Sequence, residues 1–167
     1  SNTYDINRGI CSHEQSVNII KEYQHRRELT KGTHFAEWFS IHPCFPKRFV
    51  ESGWTTLPGN YVNGGIFPLV GGELARACFE HGFETYGVDI LRRYCELAIK
   101  SKESYLWYHL DGTPGIRPGS DTIATDGWGS GAMLYAFIKG LAGIEDTSNL
   151  FQDVKLLEPL SNPTNKN

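Results

Sequence analysis

Three stretches of this chain concentrate side chains that can do chemistry: residues 58–77, 103–115 and 125–144. In the first, Asn63-Gly64-Gly65 sets an amide side chain beside two residues too small to obstruct a ligand, with Tyr61 and Phe67 close by in sequence. A flat aromatic face with an amide beside it suits a sugar ring, which offers C–H groups for stacking and hydroxyls for hydrogen bonding. The plainer alternative is a tight Asn-Gly turn before a helix, with Pro68 in that helix's first turn.

In the third stretch, Asp126 precedes the run Gly127–Tyr135, and Trp128 lies within one turn of it. Asp126 can bind hydroxyls, act as an acid or base, or simply cap a helix N-terminus, a role worth about 1 kcal/mol. Trp128 can stack on a sugar or belong to the core. The middle stretch places Glu103, Trp107, Tyr108, His109 and Asp111 around a turn tipped by Asp111-Gly112. Glu103 is either a candidate catalytic carboxylate or a solvated charge at a helix end.

These residues need elements to hold them. Ser12 is placed to cap a helix over residues 13–29, apolar at Val17, Ile20 and Tyr23, with a mixed-charge outer face. The first twelve residues read as polar and irregular, and Pro46 suggests a short helix over 46–51. Residues 66–81 and 83–100 have helical periodicity, the second apolar at Val88, Leu91, Tyr94, Cys95, Ala98 and Ile99. The link between them is so short that they must form an antiparallel hairpin. A small-residue helix over 127–142 follows, in which Gly129, Ser130, Gly131 and Ala132 permit close approach by a neighbour or ligand. Residues 150–160 read as an edge strand and 161–167 as a polar tail.

The order of these motifs carries a resemblance. An NGG-x-x-P segment opens a helix, a helical hairpin follows, then a DGTP turn, then a D-G-W-G-S-G-A-M-L-Y helix ending in GLAGI. Over residues 55–160 this resembles the C-terminal third of the (α/α)6-toroid carbohydrate-active enzymes, among them glucoamylases, glycogen-debranching glucosidases, trehalase- and invertase-like hydrolases and disaccharide phosphorylases. The resemblance implies an all-α fold of helical hairpins forming part of a toroid, with a short β segment near the C-terminus. It implies a glycoside hydrolase-like function, in which two carboxyl groups about 6.5–9.5 Å apart cleave a glycosidic bond in an inverting enzyme. Tyr61, Asn63, Gly64, Trp107 and Trp128 would then bind substrate, and Glu103 and Asp126 would be the carboxylates. The sequence departs from the family where the glucoamylase-like base aligns, which here is Tyr105, two residues after Glu103. The family's general acid lies on an earlier hairpin, for which His34, Glu37 and His42 are candidates by type alone. The alternatives are a noncatalytic carbohydrate-binding or accessory module and a purely structural fragment.

Composition bounds the rest. The chain has 167 residues, is 40% hydrophobic and 13% aromatic, and carries a formal charge of −3, with a mean hydropathy of −0.37. These values exclude a coiled coil, a disordered tail and a membrane protein, and they leave no basic footprint for nucleic acid. The six histidines lack metal-site spacing, and His81 reads as a helix-end imidazolium that favours the dipole. No metal or cofactor is expected. Cys11, Cys44, Cys78 and Cys95 show no CxxC pairing, and Cys78 and Cys95 read as buried thiols. The expected partner is an oligosaccharide or glycoside, together with the remainder of the toroid or a second copy. A full toroid has twelve helices of about 11–12 residues each, so a chain with about four is expected to be part of one. A removed signal peptide would favour a periplasmic or secreted location.

Overall fold

The computed structural model describes residues 2–49, 53–116, 126–148 and 152–157. Within them the protein is mostly helical with one small sheet: α1 (Asn2–Asn7), α2 (His13–Thr30), α3 (Pro68–Glu80), α4 (Glu84–Ser101), α5 (Gly127–Tyr135), β1 (Ile144–Asp146) and β2 (Val154–Leu156). α3 is the hub. α1, α2, α4 and α5 all pack on it, and it buries Val70, Leu74, Ala75, Ala77, Cys78 and Phe79. Leu74 on α3 and Ile90 on α4 are fully buried, each worth about 1.5–3 kcal/mol relative to exposure.

The α3–α4 hairpin forms as the short link dictates, with Gly82 at φ +81° beyond the last turn of α3. α2 begins with the full capping box. Ser12 Oγ accepts the Gln15 N–H at 3.2 Å, and the Gln15 side chain accepts the Ser12 N–H at 2.8 Å. Its buried side chains are Ser16, Ile20 and Tyr23.

Several expectations are corrected. Residues 2–7 are helical and only 8–12 are irregular: α1 buries Thr3 and Ile6, one turn apart, and is tied down by the Asn7 amide on the Glu73 carbonyl (2.7 Å) and Arg76 on the Asn7 carbonyl (2.7 Å). Residues 46–51 hold one 3-10 turn, Lys47–Phe49, while residues 50–52 lie outside the described residues. α3 starts at Pro68 because Ile66 is held extended, its N–H and carbonyl exchanging hydrogen bonds with Tyr108. The helix after Asp126 changes to a π segment over Ala136–Leu141. β2 is the expected extended segment in part, and it pairs antiparallel with β1, with Glu145 opposite Lys155. Residues 149–151 and 158–167, the tail included, lie outside the described residues, as do 117–125.

The largest correction concerns α4. Its buried face is Tyr86, Gly87, Ile90, Leu91, Arg93 and Leu97, while Val88 and Ile99 are exposed and so is Cys95. Cys78 is the buried thiol, and burial pushes its pKa up. The α4 stripe turns toward Arg93 because that guanidinium has a partner inside. Glu37, with no exposed surface, accepts from Arg93 Nη1 at 2.8 Å and Nη2 at 3.0 Å. It also accepts from the Tyr86 hydroxyl at 2.5 Å, and Arg27 Nε stands 3.9 Å away. Arg93 in turn lies over the Trp38 ring at 5.2 Å.

α3 and α5 meet backbone to backbone. A Cβ on Gly72 would lie 2.5 Å from the Ala132 carbonyl carbon and 2.7 Å from the Ala132 Cβ. Gly131, one residue earlier on α5, faces open space.

Two predictions follow from this packing. Glu37→Ala leaves Arg93 buried and uncompensated and should cost about 3–5 kcal/mol in urea unfolding, whereas Glu37→Leu combined with Arg93→Met should recover most of that loss. An unchanged urea midpoint in Glu37→Ala would show that the pair does not hold the fold. Gly72→Ala should destabilise by about 1–3 kcal/mol through overpacking despite alanine's better helix propensity. Gly131→Ala should instead stabilise by about 0.5–1 kcal/mol. Thermal unfolding of the two variants with the same sign would count against the close helix contact.

Candidate functional site

The loops that precede α3 and α5 gather at one end of the helices. Short backbone pairings knit them together: Phe39 with Ile66, Ile66 with Tyr108, and Tyr108 with Pro114. Around this patch the aromatic side chains form one cluster. The Trp107 ring lies 5.3 Å from Trp54, 6.1 Å from Tyr61 and 4.7 Å from His109, and Tyr61 stacks on Phe67 at 5.5 Å. Trp54, Tyr61 and His109 are half-buried.

Trp107 itself is buried. Its ring is held between the backbones of Gly65 and Gly115, where any added Cβ would overlap it. It is a wall that braces the half-buried rings, not a surface a ligand can reach.

Asn63 and Gly64 shape the loop. The Asn63 amide accepts the Phe45 N–H at 2.7 Å and donates to the carbonyls of Phe45 at 3.0 Å and Thr56 at 2.8 Å. That set engages the oxygen and both N–H groups of the side chain. Gly64 adopts φ +106°, and a Cβ there would meet the Cys44 Cβ at 2.9 Å, so its small size admits the 44–45 segment. The Asn63-Gly64 pair is therefore a tight turn that also clamps two flanking loops. Tyr61, at φ +31°, is held in the same turn: its carbonyl accepts from Gly65 N at 3.0 Å and from Ser40 Oγ at 2.8 Å.

Asp126 caps α5, its Oδ2 accepting the Gly129 N–H at 2.9 Å. Its own N–H donates to the Ser104 carbonyl at 2.8 Å, which brings the Glu103–Ser104 backbone to the start of α5. The Ser104 hydroxyl accepts from Tyr94 at 2.7 Å. Glu103 is exposed, and burial together with hydrogen bonding to Glu103 raises the pKa of the Tyr105 phenol. Trp128 is 70% exposed. Pro68 packs against Gly129 and follows Phe67, the stacking partner of Tyr61, so the aromatic cluster and the start of α5 are continuous. The structure thus brings Tyr61, Trp107, Glu103, Asp126 and Trp128 to one end of the molecule.

The Asp111-Gly112 turn is as read: Asp111 Oδ1 accepts from Thr113 N at 2.9 Å and Oγ1 at 2.7 Å, and these bonds lower the Asp111 pKa. Of the earlier candidates, Glu37 is fully engaged inside the fold, and His42 is exposed and stacked on Phe39 at 5.0 Å. Desolvation, then Arg26 and His34, hold the His42 pKa below its usual value. Trp54 is a cluster member that the motif reading did not single out. Its signal in the sequence was a lone Trp in a Gly/Pro-rich loop.

A cavity of about 420 Å³ lies elsewhere, lined by Gln24, His25, Arg27, Glu28, Tyr86 and Asp89. Its charged walls are already engaged: Glu28 with Lys31, Asp89 with Arg92 and Arg93, and Arg27 with the His34 and Phe35 carbonyls. Among the described residues no group of three or more His, Cys, Asp or Glu is placed to hold a metal ion, and no helix is long and apolar enough to cross a membrane. Compared with protein-family models, curated proteins and solved structures, the chain matches none.

The Asn63 clamp makes a sharp prediction. Asn63→Asp removes the two donors and turns a carboxylate toward two carbonyl oxygens, and it should destabilise by about 1–3 kcal/mol. Hydrogen exchange of the Phe45 and Gly59 amides should rise with it; protection equal to wild type would mean the clamp does not hold these loops.

Proposed function

We propose that this protein is a carbohydrate-active, glycoside hydrolase-like helical protein whose loop end receives a glycan. The observation that carries the reading is the aromatic cluster of Trp54, Tyr61, Trp107 and His109, continuous through Phe67 and Pro68 with the start of α5, where Asp126 and Trp128 sit. In this reading Tyr61 and Trp54 offer faces to sugar C–H groups, Trp107 braces them, and Asn63 and Gly64 fix the loop that presents Tyr61. Trp128 extends the platform. Glu103, exposed, hydrogen-bonded by the Tyr105 phenol and one residue from the Asp126–Ser104 contact, is the carboxylate that would serve as base toward water. Asp126, engaged as a helix cap, orients its segment and can accept from a hydroxyl through its second oxygen. The general acid of an inverting hydrolysis has no counterpart in this cluster and would come from further helical hairpins of a toroid.

An exposed apolar face supports that last element. Trp128, Leu134, Tyr135, Phe137 and Leu141 are all more than 40% exposed along α5 and the π segment, and a helix apolar on all sides is ordinarily covered. The engagement of Asp126 as a cap favours a second reading, a module that binds glycan without cleaving it.

Intrinsic tryptophan fluorescence titrated with a series of gluco-, manno- and xylo-oligosaccharides tests the proposal. Binding by at least one series is expected, weakened about tenfold or more by Trp54→Ala, since truncating an aromatic anchor of a binding site costs about 2 kcal/mol or more. Release of a chromophore from aryl glycosides that is abolished by Glu103→Gln would favour the enzyme, and binding without release the module. No response to any series would defeat both.

A further inference from the structure

Among the described residues, the closest approach of two titratable rings lies away from the loop end. His13 opens α2 and His81 ends α3, 68 positions apart, yet their Nδ1 atoms are 2.9 Å from one another and their ring centroids 5.1 Å. We propose that this imidazole pair is a proton-sensitive latch that holds the first turn of α2 against the end of α3 at neutral pH and releases it when both rings are protonated.

The chemistry follows from counting protons. With both rings neutral, one Nδ1–H donates to the lone pair of the other Nδ1, and a singly protonated pair keeps that bond in charge-assisted form. A second proton leaves two N–H groups facing each other with no acceptor between them and sets two positive charges side by side. His13 is also the first residue of α2, where the positive end of the helix dipole opposes an imidazolium.

The surroundings do not relieve this. Desolvation first, then His13, lower the pKa of His81, and Glu80 on its own helix opposes them. The helix-end imidazolium expected from the sequence is thus disfavoured. Among the described residues, Glu80 is the carboxylate that acts on His81. Arg8, just after α1, lies over the Tyr4 ring, Glu84 of α4 acts on Cys78, and Lys139 of the π segment pairs with Glu145 at 3.2 Å. Because His81 binds its proton less readily folded than unfolded, the stability it contributes is present above the unfolded value of about 6.5 and is lost as pH falls through the folded one.

The test compares wild type with His13→Gln and His81→Gln, both surface changes, by NMR. In His13→Gln the His81 ring should titrate higher than in wild type, toward about 6.5. Hydrogen exchange at Gln15 and Ser16, whose amides bond to Ser12, reads the latch itself. Between about pH 7.5 and pH 5 their protection in wild type relative to His81→Gln at the same pH should fall on the order of tenfold. A His81 titration unmoved by His13→Gln would overturn the proposal. So would protection that falls in parallel in wild type and His81→Gln.

Discussion

A buried carboxylate between two helices sets most of the geometry of this protein. Glu37 comes from the irregular stretch between α2 and α3, and it is held by Arg93 and Tyr86 of α4, with Arg27 of α2 behind it. A lone carboxylate with no exposed surface would be costly to bury, and here a bidentate guanidinium and a phenol occupy its oxygens. The same carboxylate raises the Arg93 pKa against the desolvation of that side chain and, after burial, pushes the Tyr86 phenol up. The consequence is local order on both sides of residue 37. The Trp38 carbonyl accepts from Phe67 at 2.7 Å, the Phe35 N–H donates to Leu110 at 2.6 Å, and Ser40 N donates to Gly65 at 2.9 Å. The segments around Gly65–Phe67 and Leu110 are therefore tied, within a few residues, to one ion pair.

The second constraint is the depth to which α5 enters α3. Gly72 admits the Ala132–Met133 backbone, and further along Gly140 receives the Phe79 ring. Contact at both ends of the small-residue helix fixes its height along α3, so that Gly129 meets Pro68. That height places Asp126 against Ser104 and beside the loop leading into α3. The candidate site is in this sense a product of helix packing: its residues lie in three separate loops, and the glycines bring those loops level.

What could be read from the amino-acid order divides along physical lines. The α3–α4 hairpin was legible because its signals are local: Pro68 to start, Gly82 to stop, a link too short to allow any other arrangement. Ser12 and Asp126 announced their caps for the same reason. The buried face of α4 was misread because periodicity alone counts an arginine as solvated, and only the tertiary arrival of Glu37 makes Arg93 a core residue. α1 was missed because six polar-looking residues carry too little pattern, and their helix depends on Glu73 and Arg76 of α3. The meeting of His13 with His81 is wholly tertiary, and no spacing rule reaches across 68 positions. Cys95 was assigned inward with the misread face and moved outward with its correction.

The aromatic residues show how far residue type alone can carry a functional reading. Tyr61, Trp107 and Trp128 were singled out for one property, a flat apolar ring near polar groups, yet burial separates them. Trp107 is enclosed by two glycine backbones, Tyr61 is half-buried in a strained turn, and Trp128 stands mostly in water. On the proposed reading, a ring at the centre of a sugar platform must be both rigid and accessible, and the two properties separate here: Trp107 is rigid but enclosed, and Trp128 is accessible at the platform's edge. Trp54 and Tyr61 meet both, because each is half-buried and each has Trp107 within about 6 Å to hold it. The bracing ring and the presenting rings are thus different residues, and a platform of this kind becomes visible only when the loops that carry them are placed side by side.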